Sequence, residues 1–391
     1  MNVKRLYVIV LDSFGVGALP DAAEFGDTSD VHTLRSIVKS PSYVTPHLEW
    51  LGLFNIDGVE AGPKTPKPAG AFGRMAEKSR GKDTTTGHWE IAGLVSERAM
   101  PTFPEGFPPD FIEKIEAALG RKTLCHKPYS GTQVIHDYGR EHLATGALIV
   151  YTSADSVLQI AAHERIVPRD ALYDCCRKAR AVCTGDYAVG RVIARPFIGE
   201  YPKYERTAGR HDFSLLPPGD TMLDAFQKAG LTTIGVGKIS DIFAARGVGR
   251  HIPMDGNEDG MTKTIRTLAE DFTGLCFVNL VDFDMKYGHR RDIDGYANAA
   301  TVFDRQLGEF IAGMRAEDVL MITADHGCDP GAPGTDHTRE YVPILAYGQG
   351  VKAGVNLGTR TSFADVAATA AEMFGLLLST PGTSFLREIA W

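Results

Sequence analysis

Five short stretches of the chain are apolar at nearly every position: LYVIVL from Leu6, TTIGVG from Thr232, CFVNLV from Cys276, DVLMIT from Asp318 and VPILAYG from Val342. Such runs are too short for helices and show no polar alternation, so they predict strands buried on both faces, as a parallel sheet requires. Helical periodicity falls between them, over 221–229, 259–272 and 297–314. Buried strands interleaved with amphipathic helices predict a doubly wound, mostly parallel α/β core.

The middle of the chain has another texture. A proline-rich entry, PTFPEGFPP from Pro101, precedes a helical stretch over 110–119, the apolar runs GALIVYTSADSVLQI and GRVIARPF, and the polar return YPKYERTAGRHD. This pattern predicts an inserted α+β domain at 98–212, with the core divided into 1–97 and 213–391.

Three of the predicted core strands end in acid. The first runs into Asp12, the second into Asp282-Phe283-Asp284 and the third into Asp325-His326, and His289 and His337 follow in loop-like sequence. Ligands of open α/β sheets gather beyond the carboxyl ends of the strands. A lone aspartate after a strand is more often a turn former or helix cap. Six candidates at one predicted edge, Asp12, Asp284, His289, Asp325, His326 and His337, are harder to explain as unrelated turns. Mixed carboxylate and imidazole donors suit Mn²⁺, Zn²⁺ or Fe²⁺ better than Ca²⁺. Adjacent residues such as Asp325 and His326 can serve two neighbouring ions, a device used for phosphoryl chemistry. His32, His47, His126, His136, His142, His163, His211 and His251 lack that setting and read as structural or surface residues.

The stretch GKDTTTGHWE sets three threonines, Thr84, Thr85 and Thr86, among charged residues in sequence that suits neither strand nor helix. On a loop beside divalent cations a threonine hydroxyl has the help it needs to act as a nucleophile, and Lys82 can steady an anionic substrate. The alternative is a cap, with Asp83 or a threonine starting a helix near Thr86. The residues alone do not choose among the three threonines, and His88 and Glu90 figure only as part of the charged surroundings.

Charge and cysteine content narrow the class. The 41 basic and 49 acidic side chains give a net charge of −8, with no dense cationic cluster, which argues against a nucleic-acid partner. The six cysteines form no CxxC pair and read as reduced, buried thiols. The apolar run after Lys4 and Arg5 stops at Asp12, so it reads as a strand rather than a leader, and no stretch approaches transmembrane length. A cytoplasmic protein with no membrane partner is expected.

The blocks VLDSFGVGALPDA, GKDTTTGHWE, YTSADSVLQIAAHE, VDFDMKYGHRRD and TADHGCDPGAPGTDHTREYVPILAY together resemble the bacterial phosphopentomutases of the alkaline phosphatase superfamily. The resemblance runs over essentially the whole chain. It implies an alkaline phosphatase-type core with an inserted cap, and an enzyme that interconverts α-ribose 1-phosphate and ribose 5-phosphate and their 2-deoxy forms. It also implies that Thr84, directly after Lys-Asp, carries a phosphoryl group. Two Mn²⁺ ions are implied, one on Asp12, Asp325 and His326 with the Thr84 oxygen, the other on Asp284, His289 and His337. Glucose 1,6-bisphosphate or ribose 1,5-bisphosphate would prime the enzyme, and the inserted domain would be the lid that excludes water. Ser153, Asp155, Arg191 and Arg206 in that domain, and Lys238 in the core, are the expected contacts to the pentose phosphate. The rival readings are a phosphoglycerate mutase or plain phosphatase on the same core, and a metal-binding scaffold without catalysis. Oligomeric state is not legible.

Overall fold

The computed structural model describes residues 2–153 and 155–391. The chain starts with β1 (Arg5–Leu11) and returns to the same sheet with β2 (Ala71–Met75). An inserted unit contributes β3 (Thr123–Pro128), β4 (Leu148–Thr152), β5 (Val157–His163), β6 (Arg191–Glu200), β7 (Lys203–Arg206) and β8 (His211–Ser214). The remainder supplies β9 (Thr232–Val236), β10 (Arg250–Ile252), β11 (Gly274–Leu280), β12 (Asp318–Thr323), β13 (Val342–Tyr347) and β14 (Asn356–Arg360). Contacts separate two compact units, Met1–Arg98 with Pro217–Trp391, and Ala99–Leu216.

The larger unit is built on an eight-stranded sheet in the order β10-β9-β11-β1-β12-β13-β2-β14. Its centre, β11-β1-β12, is parallel and every residue of these three strands is buried, as their unbroken apolar runs require. The register is pinned at the amino ends, where Arg5 sits opposite Asp318 and binds it through two bonds of 2.7 and 2.6 Å. Helices Met222–Lys228 and Gly256–Thr267 pack against β9 and β11. This is the mostly parallel α/β core that the hydrophobic pattern predicts. Among the described residues no helix is long and apolar enough to cross a membrane.

Three details correct or refine the sequence reading. The VPILAYG strand, β13, runs antiparallel to both β12 and β2. The apolar run GALIVYTSADSVLQI resolves into two strands, β4 and β5, paired antiparallel. The threonine triplet is helical: Thr84–Ile91 forms a helix whose cap, Asp83, accepts the Thr85 and Thr86 N–H groups at 3.1 Å and the Thr86 hydroxyl at 2.6 Å. Asp83 is thus the cap that the alternative reading offered, with the helix starting two residues earlier, and the cap rather than an apolar stripe defines it.

The inserted unit holds a six-stranded sheet, β3-β4-β5-β6-β7, with β8 also pairing β6. Phe103, Phe107, Phe111 and Tyr187 pack over its core beside Leu158, Ile160 and Leu172.

His32 tests one local feature. Its Nδ1 accepts the Arg35 N–H at 3.1 Å and caps the Thr33–Ile37 helix, and burial pulls its pKa down to about 4. A depressed histidine contributes stability above its unfolded value of about 6.5 and loses it as pH falls. Urea unfolding of the wild type and His32→Asn, whose amide can still cap, should show the wild type losing on the order of 3 kcal/mol relative to the variant between pH 6.5 and 4.

Candidate active site

The parallel register of the central strands levels their carboxyl ends. With Val10 opposite Thr323 and Leu11 opposite Leu280, Asp12 emerges beside Asp325 on one side and the chain leading to Asp284 on the other. The three carboxylates are buried: Asp12 and Asp325 fully, Asp284 with 5% exposed. Nearby elements hold them at fixed angles. The Asn279 amide donates to Asp12 Oδ2 at 2.7 Å, and the Ser13 N–H donates to Asp325 Oδ1 at 3.0 Å.

The histidines close the cluster. His326 Nε2 lies 3.4 Å from both Asp12 Oδ1 and Asp325 Oδ2, while His289 Nε2 and His337 Nε2 lie 3.2 and 3.3 Å from the two oxygens of Asp284. His326 and His289 each use Nδ1 to bond a backbone carbonyl, Gly327 at 3.0 Å and Thr335 at 2.6 Å, which turns Nε2 toward the carboxylates. Thr84 Oγ1 reaches this cluster at 3.2 Å from His326 Nε2. The structure therefore brings Asp12, Thr84, Asp284, His289, Asp325, His326 and His337 together.

Electrostatics follow from this packing. Burial and the Asp325 charge push the Asp12 carboxyl up. Burial acts on Asp325 too, but His326 and His88 outweigh it and hold that carboxyl below the usual range. Asp284 is held well below it by His289 and His337 against its burial, and the bond to Asp284 lifts His289 to about 9. A divalent ion entering here competes with imidazole protons.

The residues fit such an ion. Among the described residues, Asp12 Oδ1, Asp284 Oδ1, Asp325 Oδ2 and His337 Nε2 are buried without a hydrogen-bond partner, although ring nitrogens approach the carboxylates within ion-pair distance. Donor atoms of Asp12, Asp325 and His326 lie within 4.8 Å of one another, as do those of Asp284, His326 and His337, and those of Asp284, His289 and Cys328. Unpartnered buried donors of this mixed type are what a divalent transition metal satisfies.

The helix that presents Thr84 is held closely. A Cβ on Gly87 would fall 2.1 Å from the Asp325 carbonyl oxygen, so only glycine lets the helix approach. His88, fully buried, sets Nδ1 2.8 Å from the Thr84 carbonyl and 3.0 Å from Asp325 Oδ2. Glu90 accepts the Lys78 and Ser79 N–H groups at 2.9 and 2.6 Å and the Ser362 hydroxyl at 2.7 Å. These supports were not assigned from sequence; the signal was their place directly after the triplet. Arg339 was missed altogether. Buried, it donates to Glu77 Oε2, Ser79 O and Gly81 O at 2.6, 2.9 and 2.6 Å, to Glu77 O at 2.9 Å, and to Asp21 at 3.2 and 3.0 Å.

The other expected residues make local contacts of their own. Lys82 pairs with Asp27 at 3.2 Å and Asp336 at 3.4 Å. Lys238 meets Met285 Sδ at 2.8 Å, next in sequence to Asp284. Ser153, Asp155, Arg191 and Arg206 belong to the inserted unit. There Arg191 faces Asp155 at 3.6 Å and Asp212 at 3.4 Å, and Arg206 Nε donates to Gly131 O at 3.1 Å. Burial pushes the Tyr151 hydroxyl up against the opposing charges of Arg206, Arg195 and Arg210.

Residues 4–378 match the model of the metalloenzyme superfamily. The chain is 54% identical over 387 residues to the phosphopentomutase of Lachnoclostridium phytofermentans, with 99% of each covered. It is 54% identical over 388 residues to that of Acetivibrio thermocellus, covering 99% of this chain and 100% of the relative. The chain belongs to the phosphopentomutase family. It is therefore an enzyme of the mutase type, a metal-binding isomerase acting on small phosphorylated sugars. Phosphopentomutase relatives at this identity displace the phosphoglycerate mutase alternative. Among solved structures the fold resembles the PH0037 protein of Pyrococcus horikoshii, with a TM-score of 0.51 at 15% identity, covering 98% of this chain and 100% of that one. It also resembles a phosphoglycerate mutase of Leishmania mexicana, with a TM-score of 0.50 at 12% identity and 98% and 97% coverage. At such identities the likeness concerns the fold alone.

Proposed function

We propose that the enzyme interconverts α-ribose 1-phosphate and ribose 5-phosphate, and their 2-deoxy counterparts, by way of a phosphoryl group carried on Thr84. The observation that carries this reading is the Thr84 hydroxyl 3.2 Å from His326 Nε2, at the start of a capped helix and at the rim of a carboxylate–imidazole cluster. Asp12, Asp325 and His326, with the Thr84 oxygen, would hold one Mn²⁺, and Asp284, His289 and His337 the other. Bound there, the pair would supply positive charge for the equatorial phosphoryl oxygens and favour the ionised hydroxyl.

The chain's own groups prepare the transfer. Asp83 fixes the first turn by accepting the Thr85 and Thr86 N–H groups, which holds Thr84 at the positive end of the helix dipole, where a dianion is favoured. In the forward step the Thr84 Oγ1–P bond breaks, a P–O bond forms to the unphosphorylated pentose hydroxyl, and that hydroxyl's proton leaves. The resulting bisphosphate reorients and returns its other phosphoryl group to Thr84. Glucose 1,6-bisphosphate or ribose 1,5-bisphosphate would load Thr84 initially. Ser153, Asp155, Arg191, Arg206 and Lys238 are proposed as sugar-phosphate contacts on the chemistry of their side chains, guanidinium forks being suited to phosphate.

Phosphorus NMR of ribose 1-phosphate with the purified chain, Mn²⁺ and a trace of glucose 1,6-bisphosphate tests the proposal. Ribose 5-phosphate should accumulate with little inorganic phosphate. Inorganic phosphate as the main product would overturn it in favour of a phosphatase.

A further inference from the structure

Cys328 stands two residues beyond His326, with its sulfur among donor atoms of two candidate metal ligands. Its N–H is shared by the Ser13 carbonyl and Thr33 Oγ1, both at 3.2 Å, so the backbone fixes where the side chain points. Sγ lies 3.6 Å from the carbonyl oxygen of Asp336, the residue before His337. On its other side is Gly288, the residue before His289, where a Cβ would come within 2.8 Å of Sγ. The sulfur is buried, with 1% of the residue exposed, and its position is shared with donor atoms of Asp284 and His289, all three within 4.8 Å of one another. Independently of the sulfur, Asp284 is 95% buried and its Oδ1 has no hydrogen-bond partner among the described residues.

Asp284 thus stands between two donor sets. One is nitrogen and oxygen only, through His326 and His337; the other adds a sulfur, through His289 and Cys328. Ions divide between such sets by softness. Mn²⁺ and Mg²⁺ prefer the oxygen and imidazole donors, whereas Cd²⁺ and Zn²⁺ gain from a thiolate.

We infer that Asp284, His289 and Cys328 form a thiophilic cation site that competes for Asp284 and His289 with the manganese arrangement proposed above. When Cd²⁺ or Zn²⁺ binds, the S–H bond breaks, the proton passes to solvent and the thiolate pair forms the metal–sulfur bond. No oxidant or reductant takes part. Thiophilic ions then act as inhibitors by withdrawing two donors from the second manganese position. That inhibitory consequence rests on the two-manganese reading; the site itself rests on the geometry of the three residues.

The test is a titration of the metal-free, full-length protein with Cd²⁺, following the near-ultraviolet thiolate-to-cadmium absorption, with Mn²⁺ binding measured separately. The wild type should develop one thiolate equivalent of absorption per chain, and Cys328→Ser should develop none. The ratio of Cd²⁺ to Mn²⁺ affinity should fall at least about tenfold in the variant, the lower end of what disturbing a ligand shell does. Absorption that persists in Cys328→Ser, or an affinity ratio that does not change, would overturn the inference. If the variant does not fold, cadmium-113 NMR of the wild type decides, since a resonance in the range of oxygen and nitrogen ligation alone excludes the sulfur. Failure of Mn²⁺ to bind or to support turnover would count against the manganese reading without touching the cadmium result.

Discussion

Thr84→Ala should fold, take up metal and show no measurable mutase activity. The Thr84 side chain is half-buried and its hydroxyl meets His326 Nε2, but the helix cap does not depend on it. Asp83 bonds the Thr85 and Thr86 N–H groups and the Thr86 hydroxyl instead. Alanine is also the best helix former, so the loss of stability should stay within about 0.5 kcal/mol. Removing a nucleophile that carries the transferred group is another matter, with an expected loss of roughly four orders of magnitude or more in kcat. Intact-mass analysis after incubation with glucose 1,6-bisphosphate should show one added phosphoryl group on the wild type and none on the variant. Turnover within tenfold of the wild type would move the carrier to a neighbour. Thr86 is poorly suited, because it is buried and its hydroxyl is engaged by Asp83 at 2.6 Å.

The strand ends were legible because a continuous apolar run that stops at an acid announces both a buried strand and its polar edge. The sequence alone therefore places Asp12, Asp284 and Asp325 at one edge of a sheet. Strand direction was not legible in the same way. After β12 the chain runs through 324–341 without a helix and carries Asp325, His326 and His337 on the way. It then comes straight back as antiparallel β13 rather than crossing over. Apolar composition is the same for either direction. The supports of the site escaped for a different reason. His88, Glu90 and Arg339 each act on residues brought near by the fold, and pairs separated by 237 to 272 positions leave no local pattern (His88 with Asp325, Glu90 with Ser362, Arg339 with Glu77). Cys328 read as an ordinary buried thiol because its significance lies in Asp284 and His289, which approach it only in the folded chain.

Arg339→Met should be the most damaging substitution outside the cluster itself. The guanidinium directs all of its N–H groups at partners, and four of those bonds hold residues 77–81, which lead directly into Asp83 and Thr84. Arg339 also lies two residues after His337, so one side chain ties the segment that presents Thr84 to the segment that presents a candidate ligand. Methionine leaves Glu77 as an uncompensated buried carboxylate and strips the Ser79 and Gly81 carbonyls of their donor. Breaking a buried pair on one side costs about 3–5 kcal/mol, and urea unfolding should show a loss of that size. Lysine should not rescue the variant, because a compact ammonium with three donors cannot reproduce a planar fork. The double variant Arg339→Met, Glu77→Met separates the two roles. Removing both charges should recover much of the stability, since buried pairs are often replaceable by apolar residues. Mutase activity should stay depressed by about a hundredfold, as displacing a reacting group by 1 Å does. If activity recovers together with stability, Arg339 serves the fold alone and the loop before Thr84 is positioned without it.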